Sequence, residues 1–157
     1  QLRYKGFIFI GLIVVDSEPI VIEYNVRMGD PETEAVLPRL KTDLVEIFQA
    51  IDKQRLNKID IEIDPQTAVT VMLVSGGYPE AYEKGKEITG LEKIENSIIF
   101  HAGANNKNGQ IVTSGGRVMA VTSFGTDFKS ALGTSYKSIE AVKFEGMNYR
   151  KDIGFDL

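Results

Sequence analysis

Cysteine is absent from the chain, so there is no disulfide framework and no thiolate metal site, a pattern compatible with a reducing cytoplasm, where the protein is expected to reside. Positive charge is not in excess: the net charge of −4 leaves no basic footprint for nucleic acid. No apolar run reaches transmembrane length; the longest, Phe7–Val15, is interrupted by Gly11, and no secretory signal is visible, so no membrane partner is expected. Internal repeats and low-complexity tracts are missing as well. Histidine occurs once, at His101, and a lone histidine beside an apolar strand is more often packed or hydrogen-bonded than catalytic. The chain opens Gln1-Leu2-Arg3 without an initiator methionine and enters a strand almost at once, which suggests a piece of a longer protein. What is present is a globular composition: 157 residues, 43% hydrophobic and 25% charged, enough for one ordinary domain or a small domain plus part of another.

Tyr4–Val15 is a nearly continuous apolar run rich in β-branched and aromatic residues, which predicts a strand buried on both faces. Asp16-Ser-Glu-Pro19 is a turn by composition, and Ile20–Val26 is the return strand of a hairpin. Gly29 offers a positive φ, and Asp30 before Pro31 predicts a helix cap with Glu32 and Glu34 in the first turn. Pro38 ends or kinks that helix, and Thr42-Asp43 caps a second one with Leu44, Ile47, Phe48 and Ile51 on one stripe. A polar segment follows, with the domain boundary expected near Asn57, dividing the chain into residues 1–56 and 57–157, and with a short strand predicted over Ile59–Ile63. From Ala68 the pattern turns to short strands at 68–75, 87–89, 98–102, 110–113 and 117–123, with Asn105–Gly109 as a hairpin loop. Thr126 is placed as the cap of a helix of about four turns reaching Val142, and a polar tail follows from Met147.

The most informative stretch is Val21–Glu34. Glu23, Asn25 and Arg27 alternate, so an extended strand points all three to one face. A carboxylate beside an amide oxygen suits a hard divalent cation such as Mg²⁺, and a guanidinium just beyond suits a phosphate or a developing oxyanion. On alternation alone a plain solvent-facing polar strand is the simpler reading, because one polar face is usual in antiparallel sheets. Likewise, capping alone accounts for Asp30 and Glu32. The glycine pairs Gly76-Gly77 and Gly115-Gly116 suit either a phosphate-binding backbone or ordinary turns.

Glu23-Tyr-Asn-Val-Arg-Met-Gly-Asp-Pro-Glu-Thr33 resembles the metal-binding strand of the ATP-grasp superfamily, and within it the glycinamide ribonucleotide synthetase (phosphoribosylamine–glycine ligase) family. Ser75-Gly-Gly-Tyr-Pro79, Phe100-His-Ala-Gly103, Thr113-Ser-Gly-Gly-Arg-Val118 and Tyr149-Arg-Lys-Asp-Ile-Gly154 follow in the order expected of the closing C-terminal domain of such a ligase. The resemblance covers essentially the whole chain. It implies an α+β architecture: the C-terminal end of an ATP-grasp domain, an antiparallel hairpin plus helices, then a small mostly antiparallel β domain with one long helix.

It also implies a chemistry. Ligases of this kind join glycine to 5-phosphoribosylamine in de novo purine biosynthesis and split ATP to ADP and phosphate. By that likeness Glu23 and Asn25 are Mg²⁺ or Mn²⁺ ligands, Arg27 is the catalytic contact to the transferring phosphoryl, and Gly29, Asp30, His101 and Arg117 face substrate. A further acid is common on the preceding strand of ATP-grasp enzymes; the matching position here looks like Gly11. The N-terminal substrate domain and the lysine-bearing lid of such ligases have no counterpart in these residues, so the chain alone is expected to be inactive. Two other readings stand beside this one: a non-catalytic interaction module that keeps an ATP-grasp-like strand, and another purine-pathway ATP-grasp ligase.

Overall fold

The computed structural model describes residues 3–155, and the chain divides into two compact units, Gln1–Pro65 and Gln66–Leu157. Both mix helices with antiparallel strands, giving the α+β class. The first unit opens with the hairpin β1 (Phe9–Val15) and β2 (Glu18–Asn25). Its two-residue turn, Asp16-Ser17, has φ of 50° and 67°, the left-handed geometry that matches the twist of a tight hairpin. The pair is antiparallel, with Gly11 opposite Glu23 and Phe9 opposite Asn25, and its register slips between Gly11 and Leu12.

The hairpin is not buried on both faces, contrary to the apolar pattern of β1. Ile10, Leu12, Val14 and Ile22 are 48%, 55%, 70% and 65% exposed. The sheet has only two strands, so nothing in this unit covers most of its surface. After it come a single helical turn, α1 (Thr33–Val36), a 3-10 turn over Leu37–Arg39 that contains Pro38, and α2 (Leu44–Asp52). The Asp43 carboxylate caps α2 by accepting from the backbone N–H groups of Val45 and Glu46. α2 buries Ile47 and Ala50, and Phe48 meets Phe7 edge-on at 6.1 Å between ring centroids. Lys5 pairs with Asp52 at 2.9 Å, and this contact holds the Asp52 carboxyl below its ordinary value.

The units divide at Pro65/Gln66 rather than near Asn57. The segment after Asn57 folds back on the first unit: Lys41 N–H donates to Glu62 O at 2.9 Å, Asp64 N–H donates to Arg39 O at 2.7 Å, and Lys41 Nζ lies 3.6 Å from the Asp64 carboxylate. The strand expected at Ile59–Ile63 is reduced to one bridge, Leu40 to Ile63.

The second unit is built on a three-stranded antiparallel sheet in the order β3 (Thr67–Val74), β7 (Arg117–Gly125), β4 (Ile98–His101). A separate hairpin pairs β5 (Ala104–Lys107) with β6 (Gln110–Thr113). The loop expected over Asn105–Gly109 is therefore mostly strand, closed by Asn108-Gly109 with φ of 55° and 88°. The segment 87–89 contributes only two isolated bridges, Glu87 to Val112 and Thr89 to Lys143. α3 (Phe128–Ile139) packs on the sheet. Its cap is Asp127, not Thr126: Asp127 Oδ1 accepts from Ser130 N–H at 2.8 Å, and the Ser130 hydroxyl accepts from Asp127 N–H at 3.1 Å.

The core of this unit joins Val69, Val71 and Leu73 of β3, Val118, Met119 and Val121 of β7, and Ala131 and Ile139 of α3. A hydroxyl chain runs through it: Ser135 Oγ donates to Ser123 Oγ at 2.9 Å, and Ser97 Oγ lies 2.6 Å from Ser123 Oγ and 2.7 Å from Ser138 Oγ. Those contacts satisfy hydroxyls that burial would otherwise penalise. The polar tail is tied in, with Asn148 bridged to Val74 and with Met147, Tyr149 and Ile153 against the core.

Candidate functional site

The polar end of the hairpin gathers most of the residues singled out in the sequence. β2 ends at Asn25, and two residues earlier Glu23 shares its face. Asn25 Nδ2 donates to Glu23 Oε1 at 3.0 Å, so the carboxylate and the amide meet at one point. Glu23 is exposed and Asn25 half-buried. Both are hard oxygen donors of the kind Mg²⁺ and Mn²⁺ prefer. Among the described residues no group of three or more His, Cys, Asp or Glu side chains is arranged to hold a metal. Two protein donors fit a cation that keeps several waters and takes phosphate oxygens for the rest of its shell, which is the habit of Mg²⁺.

Arg27 lies past the end of β2, exposed, and its Nη1 donates to the Met28 carbonyl at 2.9 Å. The chain just before it is braced by Tyr4, whose hydroxyl lies 2.7 Å from Val26 O and 2.8 Å from Phe7 O. Gly29 is buried but does not take a positive φ. It is needed for space: a Cβ there would lie 3.0 Å from Phe9 Cε2 and would run into the Glu32 carboxylate. Asp30 is exposed and is not the helix cap; that position falls to Glu32, which makes no side-chain capping bond, while the Thr33 hydroxyl donates back to Gly29 O. Asp30, Pro31 and Glu32 form a turn ahead of α1, and the Asp30–Pro31 peptide is cis.

The second unit carries His101 and Arg117. His101 is the last residue of β4, opposite Met119, and exposed. Arg117 begins β7 opposite Val74 and is half-buried. Around Arg117 the glycine motifs interlock. Ser75 N–H donates to Gly116 O at 2.8 Å, and Ser75 Oγ donates to Gly115 O at 2.9 Å. Gly103 N–H donates to Arg117 O at 2.8 Å, and Gly103 O accepts from Ser114 and Gly115. The Tyr78 ring lies so close to Gly116 that a Cβ there would collide with it. Gly77, at φ 93°, closes a turn in which its carbonyl accepts from Glu80 N–H at 2.9 Å. Both glycine pairs are thus turns that seat one loop on another. A cleft of about 120 Å³ beside Ser75 is lined by Lys86, Glu83 and Glu145. Lys86 Nζ lies 2.7 Å from Glu83 and 2.9 Å from Glu145; this pairing raises the lysine pKa, and its hydrogen bond lowers that of Glu83.

The structure therefore joins Glu23 to Asn25 directly, with Arg27, Gly29 and Asp30 on the loop that follows, and sets His101 and Arg117 in the other unit. The sequence marks Tyr78 as a structural residue without naming its partner, and it does not mark Tyr4 or Phe9 as supports. Their signal was indirect: each is an aromatic side chain whose role is set by a backbone or glycine that only the fold brings near.

The profile "Phosphoribosylglycinamide synthetase, ATP-grasp (A) domain" matches residues 1–33, and "Phosphoribosylglycinamide synthetase, C domain" matches residues 68–156. The chain is 46% identical over 150 residues to a phosphoribosylamine–glycine ligase of Caldanaerobacter subterraneus, a match covering 96% of this chain and 36% of that protein. It is 48% identical over 149 residues to a bifunctional purine biosynthetic protein of Schizosaccharomyces pombe, covering 94% of this chain and 19% of that one. Among solved structures, phosphoribosylamine–glycine ligase from Thermotoga maritima superposes with a TM-score of 0.81 at 39% identity, covering 94% of this chain and 36% of that one. The chain thus spans about a third of the length of most of the relatives it matches.

Proposed function

Because the chain belongs to the phosphoribosylglycinamide synthetase family, we propose that it is the C-terminal portion of an ATP-dependent carboxylate–amine ligase that joins glycine to 5-phosphoribosylamine. The observation that carries this reading is the hydrogen-bonded Glu23–Asn25 pair at the end of β2, followed at once by the Arg27–Asp30 loop.

In such a reaction the glycine carboxylate oxygen attacks the γ-phosphorus of ATP, the bond to the β-phosphate bridging oxygen breaks, and ADP leaves. The amine of phosphoribosylamine then attacks the glycyl phosphate carbonyl, loses a proton, and expels inorganic phosphate. No protein nucleophile takes part, so positioning and charge stabilisation carry the rate. A bound Mg²⁺ or Mn²⁺ would offset charge on the β- and γ-phosphates. Glu23 and Asn25 are the residues that would hold it: the carboxylate offers its oxygens, and the Asn25 amide, whose nitrogen donates to Glu23 in this structure, would offer Oδ1. Arg27 stabilises the phosphoryl oxygens, for which its planar fork of donors is suited. Gly29 and Asp30 shape the same loop toward substrate. His101 and Arg117 serve as substrate contacts of the second unit, with Arg117 suited to a phosphate on the ribose. Such an enzyme works on small molecules and belongs in the cytoplasm. Among the described residues no helix is long and apolar enough to cross a membrane.

The test is glycine- and phosphoribosylamine-dependent ADP release by a full-length ligase that carries this segment. Glu23→Gln is expected to lower kcat by about a hundred- to a thousandfold, the scale seen when a preorganised charge-stabilising group is removed. Its circular dichroism should match the unaltered protein, since Glu23 is exposed. Unchanged turnover in Glu23→Gln would remove the metal assignment. The 157 residues alone are expected to release no ADP in the same assay.

A further inference from the structure

We propose that Phe9 and Gly11 are positioning residues for the Glu23–Asn25 site: the bare backbone of Gly11 leaves the space that the Glu23 side chain occupies, and the Phe9 ring spans from Gly11 to Gly29, fixing the Arg27–Asp30 loop over the same face. This rests on the reading of Glu23 and Asn25 as metal ligands.

Gly11 stands opposite Glu23 and Phe9 opposite Asn25, so all four residues share one face of the hairpin. The slip between Gly11 and Leu12 puts Ile22 on β2 as the extra residue, which re-aims the strand just before Glu23. A Cβ built on Gly11 would lie 3.0 Å from Glu23 Cγ, tighter than ordinary van der Waals contact, so any side chain at 11 displaces the glutamate stem. The same Cβ would lie 3.6 Å from Phe9 Cε1, while a Cβ on Gly29 would lie 3.0 Å from Phe9 Cε2. The two edges of one ring thus rest on two glycines, one beneath the carboxylate and one in the loop. Neither glycine is required for its dihedral angles, because neither has a positive φ. Space is what they provide, and the space is filled by Glu23, Phe9 and Glu32.

A purely structural role predicts the opposite of a positioning role at residue 11. Alanine suits a strand better than glycine does, so Gly11→Ala should leave the melting temperature unchanged or higher. It should nevertheless weaken metal binding, because the Glu23 stem must shift by a few tenths of an ångström from its present position.

The experiment is a Mn²⁺ titration of the 157-residue chain, read by paramagnetic broadening of backbone amide signals, which detects weak sites without turnover. The expected result is selective broadening around Glu23 and Asn25 in the unaltered chain and its loss in Glu23→Gln. Gly11→Ala should need about three- to tenfold more Mn²⁺ for the same broadening, the range an off-rotamer side chain produces. Phe9→Leu, which stays apolar but cannot reach both glycines, should shift the titration in the same direction and covers the case of an unfolded Gly11→Ala. Loss of broadening in Glu23→Gln with Gly11→Ala and Phe9→Leu titrating like the unaltered chain would overturn the positioning role and leave the metal reading intact. Unchanged broadening in Glu23→Gln, or none near residue 23 in the unaltered chain, would overturn both.

Discussion

Charge and geometry at single residues decide what the hairpin end can do. Glu23 and Asn25 carry one anionic and one neutral oxygen donor on one strand face, and the Asn25 amide nitrogen donates to Glu23 Oε1 at 3.0 Å, which ties the two side chains together. Arg27 is different. It sits exposed on irregular backbone beyond β2, with its Nη1 donating to Met28 O. The value of arginine there lies in its fork of donors rather than its charge alone. Arg27→Lys in a full-length ligase is therefore expected to cut kcat by about a hundredfold or more while leaving the fold unchanged, because one ammonium cannot replace two parallel N–H donors. Steady-state kinetics with ATP saturating checks this; a kcat within twofold of the unaltered enzyme would show that only the positive charge is used.

At the scale of elements, α3 illustrates how local sequence and pH combine. Asp127 accepts a hydrogen bond from Ser130 N–H, with a further contribution from the Ser130 side chain, and these hold its carboxyl pKa below the ordinary carboxylate value. A carboxylate with a depressed folded pKa contributes stability that is fully present above the unfolded value and is lost as pH falls through the folded one. Asp127→Ala is thus expected to lower Tm by the same amount at pH 6 and pH 8, and the gap should close only below about pH 4. Thermal melts at several pH values test it. The cap also shows what the sequence made legible. α2, α3, β3 and β7 follow from apolar periodicity, and the hairpin from its turn. The choice between Thr126 and Asp127 was beyond reach, because either residue type caps a helix and only the backbone decides. β5 was missed because Asn105-Asn106-Lys107 has no apolar alternation; it is held by pairing with β6 rather than by a buried face. β1 was expected to be buried because a continuous apolar run records what a strand prefers, not which layer covers it. At the site, the alternation of Glu23 with Asn25 was readable. A glycine inside the apolar run of β1 already points to a close approach or a bend at Gly11; that Glu23 and Phe9 are what approach it was not readable, since that depends on the register slip at Ile22.

Across the whole molecule, apolar burial is unevenly shared, and local stability should follow it. Among the described residues, the buried hydrophobics of the first unit are Ile47 and Ala50, while the second unit buries Val69, Val71, Leu73, Ile88, Val118, Met119, Val121 and others in one connected core. Regions with few buried apolar contacts and solvent-exposed backbone open at lower free energy than a packed core does. The hairpin adds to the contrast, for its aliphatic side chains are largely in solvent and it has two strands, the arrangement that is marginal in water by itself. Limited proteolysis of the chain is therefore expected to cut first within 1–65 and to leave a resistant fragment beginning near Gln66, identifiable by mass. Leu73→Ala supplies the control. Leu73 is fully buried near the C-terminal end of β3, and truncating such a leucine costs about 2–5 kcal/mol. That is a large share of the roughly 5–15 kcal/mol that holds a domain folded, so the resistant fragment should disappear or shorten in lifetime in the variant. Cleavage that starts inside 66–155 of the unaltered chain, or a fragment equally persistent in Leu73→Ala, would show that this core is not what confers resistance.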